Sequence, residues 1–190
     1  MPYLRGSSCI EVLASQAEMD PDEEVKHEVF VKHLAQYISH QPRMFKSLLA
    51  HSYQSTRKYS RMVTSLLRKD QFEITGIVDW SRAAFMPFGM DLDILFLTTG
   101  FMTKDGWHDY TCKQQLQRIF WEEFWAVSGI DGDEVRSRTR SLAEAAGQIG
   151  AILRLAFRRA ADGSPSEEIL ESEGRMKQLT AWFSDQGSRL

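Results

Sequence analysis

The 190-residue chain balances 23 Lys and Arg against 26 Asp and Glu for a net charge of −3, with 43% hydrophobic and 26% charged residues. That is the composition of an ordinary globular chain with one sizeable core, without the clustered basic field that nucleic acid needs or the roughly 18-residue apolar run of a membrane span, so a cytoplasmic location is the default. Its two cysteines, Cys9 and Cys112, lie far apart without further ligands nearby, which argues for reduced thiols and against zinc.

After an opening segment over 1–16, residues 20–57 read as helical. In "MDPDEEVKHEVFVKHLAQYISH", Asp20 can cap, Pro21 suits the first helical position and Glu23 completes a capping-box spacing. Val31, Leu34, Ala35 and Ile38 then recur at helical spacing as a buried stripe. His27, His33 and His40 are not spaced i, i+4 as a helical metal pair would be, so they are read as facing solvent.

Residues 62–80, "SLLRKDQFEITGIVDW" at their centre, allow two readings. One is a β-hairpin with Ile74, Gly76 and Val78 on one side and Thr75, Ile77 and Asp79 on the other. The other is a helix running into a single strand, since Tyr59, Met62, Val63, Leu66 and Leu67 also make a helical stripe.

Residues 91–190 are expected to form a helical bundle. "DLDILFLTTGFM" reads as a buried helix ending near Gly100, and "GWHDY" (106–110) as a loop. A further helix places Leu116, Phe120, Phe124 and Val127 on one face and stops at Gly129. The longest candidate, "GDEVRSRTRSLAEAAGQIGAILRLAFRRAADG", has Ile149, Ile152, Leu153 and Ala156 as its expected core stripe. Arg154, Arg158 and Arg159 read as a solvated face that suits the helix dipole. Ser164-Pro165 is expected to open a last helix containing Leu170, Leu179, Trp182 and Phe183. The fold class is therefore α+β, predominantly helical, in a single domain.

"ITGIVDW" resembles the strand end of the aminoglycoside phosphotransferase (choline kinase-like) family, which has the protein-kinase-like fold. The resemblance extends to "MPYLRGSSCIEVL", similar to that family's hinge through Met1, Tyr3 and Gly6, and to "MPFGMDLDIL". It implies the C-terminal lobe of that fold, with Asp79 in the place of a magnesium-binding carboxylate and Asp91 bracing a catalytic loop. The chain also departs from the family. No N-terminal lobe, phosphate-binding Lys or glycine-rich loop is expected. The His-Gly-Asp triplet with its later Asn is replaced in either register: Ser60 and Ser65 stand for Asp and Asn in one, and His51 is followed by Tyr53 and Lys58 in the other. Phosphoryl transfer needs a metal-holding Asp, a second ligand, a phosphate-binding Lys and a catalytic Asp. Only the first is in place, so ATP-dependent activity, a bound metal and a cofactor are not expected.

Two readings of Asp79 remain. It organises the "SRAAFMPFG" loop through backbone N–H groups, or it works as an acid or base beside Trp80. In the second case His51, Tyr53, Tyr59 and Ser60 are the companion catalytic candidates, and Phe85, Phe88 and Met90 an apolar wall for a small-molecule substrate. Trp107 and His108 are either an exposed loop or a second substrate-binding pair. The expected function is an ATP-independent cyclase, isomerase or lyase of specialised metabolism. The alternatives are a non-catalytic module that binds a small molecule or protein, with a homodimer through the surface left by the absent lobe, and a phosphotransferase fragment completed by another chain.

Overall fold

A computed structural model describes residues 7–8, 16–39, 58–59, 64–68, 72–78, 84–85, 88–159 and 165–187. In chain order its elements are β1 (Ser7–Ser8), α1 (Pro21–Ser39), β2 (Lys58–Tyr59), β3 (Thr64–Arg68), β4 (Glu73–Val78), β5 (Ala84–Phe85) and α2 (Asp93–Leu97). There follow β6 (Gly100–Thr103), β7 (Gly106–Asp109), α3 (Lys113–Ser128), α4 (Asp133–Leu155), β8 (Phe157–Arg159), β9 (Pro165–Ile169) and α5 (Glu173–Gly187). The architecture is mixed α+β, with the helices building most of the core and the strands pairing in small antiparallel sets.

Helix α1 starts as its sequence predicts. The Asp20 carboxylate accepts the Glu23 N–H at 2.8 Å, satisfying a donor that the first helical turn leaves without a partner. Its apolar face packs along α3. Gln115 donates to Glu28 at 2.6 Å and Gln36 donates to Glu123 at 2.8 Å, each bond joining residues 87 apart, so the two helices run parallel and in step. Between them Val31, Leu34 and Ala35 meet Leu116, Ile119, Phe120 and Phe124. Each such large side chain is worth about 1.5–3 kcal/mol of apolar burial. Helix α3 ends at Gly129, whose φ of 67° is a left-handed cap. Val127, expected on the core face, is exposed at the edge of that stripe.

Within 62–80, the described residues 64–68 and 72–78 form a hairpin, and 64–68 are strand and not helix. β3 pairs with β4 from Thr64↔Val78 to Arg68↔Glu73, with an irregularity between Leu66 and Leu67, and β1 joins the outer side of β3. Phe72 begins the return strand from a left-handed conformation, φ 52°, and is held there by burial against Phe30 and Ile74. Such a φ costs a non-glycine residue about 1–2 kcal/mol.

The expected bundle over 91–190 is interrupted by two hairpins. The helix expected to reach Gly100 stops at Leu97, because the Thr98 and Thr99 hydroxyls donate to the carbonyls of Leu95 and Phe96 at 2.9 and 3.0 Å. The chain then turns through Lys104-Asp105 into β7, so "GWHDY" is mostly strand and not loop. Gly106, which closes this turn opposite Thr103, is the turn signal that a purely helical reading passes over. Pro165 likewise begins β9 and not a helix, at a strand's first residue where its missing N–H is tolerated. The last helix starts only at Glu173.

Helix α4 is rotated from its expected orientation. Thr139, Ala143, Gly147, Gly150, Ala151 and Leu155 are buried, whereas Ile149 and Ile152 of the expected stripe are 53% and 38% exposed. Leu153 and Ala156 are only half-buried. The cause is a backbone approach: the 89–93 segment lies so close that a methyl group at Gly150 would overlap the Met90 carbonyl, and one at Gly147 would come within 3.2 Å of the Leu92 Cβ. Small residues turn inward because bulk there would hold the two chains apart. Arg154, expected on a solvated face, instead reaches Asp93 at the start of α2.

Candidate functional site

The chemistry suggested by the sequence centres on the chain before and after the β3–β4 hairpin. Tyr59 of β2 pairs with Ala84 of β5, and Lys58 with Phe85, in one antiparallel ladder. Thr64 pairs with Val78 at the open end of the other. The two ladders therefore tie together the described residues flanking positions 60–63 and those flanking positions 79–83. Of the catalytic candidates, Tyr59 lies in β2, while His51, Tyr53, Ser60, Asp79 and the neighbouring Trp80 lie outside the described residues. Phe85 is in β5.

The remaining substrate-binding candidates do not converge on one place. Phe88 stacks on Phe124 at 5.6 Å between ring centroids and belongs with the α1–α3 core. Met90 is buried where its backbone meets Gly150 of α4. Trp107 packs edge-on against Trp182 at 5.3 Å, in the cluster that joins α4 to α5. Its indole N–H donates to Asp109 at 2.9 Å, and the other oxygen of that carboxylate meets the Lys113 ammonium at 2.7 Å. His108 is exposed, stacked on Phe101 at 5.4 Å, with Nε2 2.9 Å from the Thr103 hydroxyl. Trp107 and His108 point to opposite faces of β7, as successive strand residues must, so they do not form one binding pair.

A buried polar cluster was missed by the sequence reading. His27, expected in solvent, is 1% exposed and sits between Phe72 and Tyr110, at 5.2 and 5.5 Å between ring centroids. Its Nδ1 lies 3.0 Å from the Glu23 carbonyl oxygen. A carbonyl only accepts, so Nδ1 carries the proton and Nε2 is a bare acceptor. Nε2 is buried without a hydrogen-bond partner among the described residues, as is Glu23 Oε2. Burial pushes His27 below its ordinary pKa, outweighing the upward pull of the Glu23 carbonyl and carboxylate. Tyr110 is held well above the usual phenol range, chiefly by burial and then by Cys112 and Glu23. The Cys112 thiol is pushed up by burial and by Glu24 and Glu28, offset in part by a backbone hydrogen bond. The cluster is thus neutral at its centre: a proton-free imidazole nitrogen beside a protonated phenol.

The signal that could have found it is positional. His27 lies three and four residues before Phe30 and Val31, in line with the buried stripe of α1. His33, also expected in solvent, is half-buried and accepts the Ile74 N–H on Nδ1 at 3.2 Å. His40 lies outside the described residues.

Among the described residues no three His, Cys, Asp or Glu side chains gather as a metal would require, and no helix is long and apolar enough to cross a membrane. No family model, curated protein or solved structure matches the chain.

Proposed function

We propose that the chain is a degenerate relative of the aminoglycoside phosphotransferase fold that acts on a small molecule without ATP, using Asp79 as acid or base. The reading is supported by the two ladders Tyr59↔Ala84 and Thr64↔Val78. They tie the chain before the hairpin to the chain after it, which the resemblance requires if Ser60 and Asp79 are to serve one site. Acid–base work needs one positioned group with a shifted pKa and a shaped site, and neither magnesium nor nucleotide.

The test is incubation of the purified chain with a low-molecular-weight cell extract, free of added ATP, followed by mass-spectrometric comparison with the Asp79→Asn variant. The expected result is one substrate depleted and one isomer or elimination product formed by the wild type alone. Identical extracts would overturn the reading. A calorimetric titration with ATP and magnesium is expected to be flat, and heat with a saturable isotherm would favour a phosphotransferase completed by another chain.

One observation favours a non-catalytic binding module as second reading. Leu142, Ile149 and Ile152 form an exposed apolar row on α4, at the i, i+7, i+10 spacing of a helix seam. Light scattering over a range of concentrations, with Ile149→Glu as control, distinguishes a partner-binding chain from a monomeric enzyme.

A further inference from the structure

Two histidines on α1 contact the same hairpin. His33 accepts the Ile74 amide on Nδ1 at 3.2 Å, which ties the return strand to the helix. His27 presents a buried Nε2 lone pair and packs against Phe72 at 5.2 Å, the residue that begins the return strand of the same hairpin. A proton on that nitrogen would place a charge among rings without an acceptor on Nε2. We propose that His27 is the proton-sensitive part of a clasp, completed by the His33–Ile74 bond, which seats the β3–β4 hairpin on α1 near neutral pH and releases it in mild acid.

The groups facing the clasp bear on its direction. On α1, the Glu23 carboxylate and carbonyl favour a charged His27, with Glu24 and Glu28 further along the helix. From the lead-in to α3 come Tyr110, whose ring meets His27 at 5.5 Å, and Cys112, both held protonated by burial. From the hairpin comes Phe72, followed in sequence by Glu73. Burial outweighs the acidic neighbours and keeps His27 neutral in the seated state. Release would free Phe72 from its left-handed φ of 52°, so backbone relief adds to the opening. The α1–α3 core, held by Val31, Leu34, Phe120 and Phe124, contains no such group and stays closed.

The proposal concerns the hairpin and stands whether or not the chain is an enzyme. Hydrogen exchange of the intact protein, followed at the Ile74 amide and in peptides over 64–78 and 113–128, tests it. After correction for intrinsic exchange, hairpin protection is expected to fall as pH drops below about 6.5, approaching tenfold per pH unit, with α3 unchanged. The variant His27→Phe keeps a ring that does not titrate, and its hairpin protection should not vary over this range. Should that variant not fold, His27→Leu is expected to remove the dependence in the same way. Wild-type protection independent of pH overturns the proposal, and so does a variant that loses protection as the wild type does. Parallel loss in α3 and the hairpin would show global acid unfolding and would equally overturn it.

Discussion

Arg154 grips both oxygens of the Asp93 carboxylate, with Nε 2.7 Å from Oδ2 and Nη2 3.0 Å from Oδ1. Asp93 is fully buried, and the pair joins the first residue of α2 to the last turn of α4 across 61 residues of sequence. Removing the guanidinium would strand a carboxylate in the core, where an uncompensated charge costs about 3–5 kcal/mol. Arg154→Met is therefore expected to lose roughly 3 kcal/mol or more in urea unfolding. The double variant Asp93→Asn, Arg154→Met should lose much less, because no charge is left buried.

The close approach of α4 to the 89–93 segment predicts opposite outcomes for two glycines. Gly150→Ala would push a methyl group into the Met90 carbonyl. Backbone displacement of this kind costs about 1–3 kcal/mol, more than the roughly 1 kcal/mol of helix propensity that alanine brings. At Gly174 of α5 nothing lies within 4 Å of the added carbon, so Gly174→Ala is expected to stabilise by about 0.5–1 kcal/mol. Thermal unfolding of both variants checks the sign.

Phe72 sets strain against burial. Phe72→Gly would relieve about 1–2 kcal/mol of left-handed backbone. It would also remove a buried aromatic side chain worth about 3–5 kcal/mol. Burial wins, and a net loss of about 2–3 kcal/mol is expected from the same estimates. A more stable variant in urea would show that the ring does not hold the hairpin.

Tyr110 gives the fold an alkaline limit. Its folded pKa is raised above the unfolded value by burial, so its contribution is fully present below the unfolded phenol pKa of about 10. The contribution declines as pH rises from there toward the folded value, because the unfolded chain gives up that proton first. Urea midpoints are expected to fall above about pH 10 in the wild type, and the fall should be shallower in Tyr110→Phe.

What the sequence disclosed, and what it hid, divides along one physical line. Features fixed by local chemistry were legible: the Asp20 cap, the α1 stripe from Val31 to Ala35 and the Gly129 stop; for 62–80 the sequence left a hairpin and a helix–strand pair open, and pairing across β3 and β4 decides it. Features decided by what lies opposite were not. Ile149 and Ile152 are larger and more apolar than Gly147 and Gly150, so hydrophobicity favours the wrong face of α4. A neighbouring backbone selects the small residues instead. His27 was misread for a related reason, since its residue type suggests solvent while its position in the α1 stripe places it beside Phe72 and Tyr110. The candidate site rests on the motif at Asp79, which lies outside the described residues, and the ladders at Tyr59 and Val78 add only the pairing of its flanks.

The matched 87-residue span of the two α1–α3 bonds also carries a consequence for biosynthesis. On the ribosome, the apolar side of α1 is finished long before its partner helix exists. At about 5–20 residues per second, making the intervening chain takes roughly 4–17 seconds. Throughout that interval Val31, Leu34 and Ala35 have no α3 to cover them, which makes the nascent first helix a natural client for a chaperone.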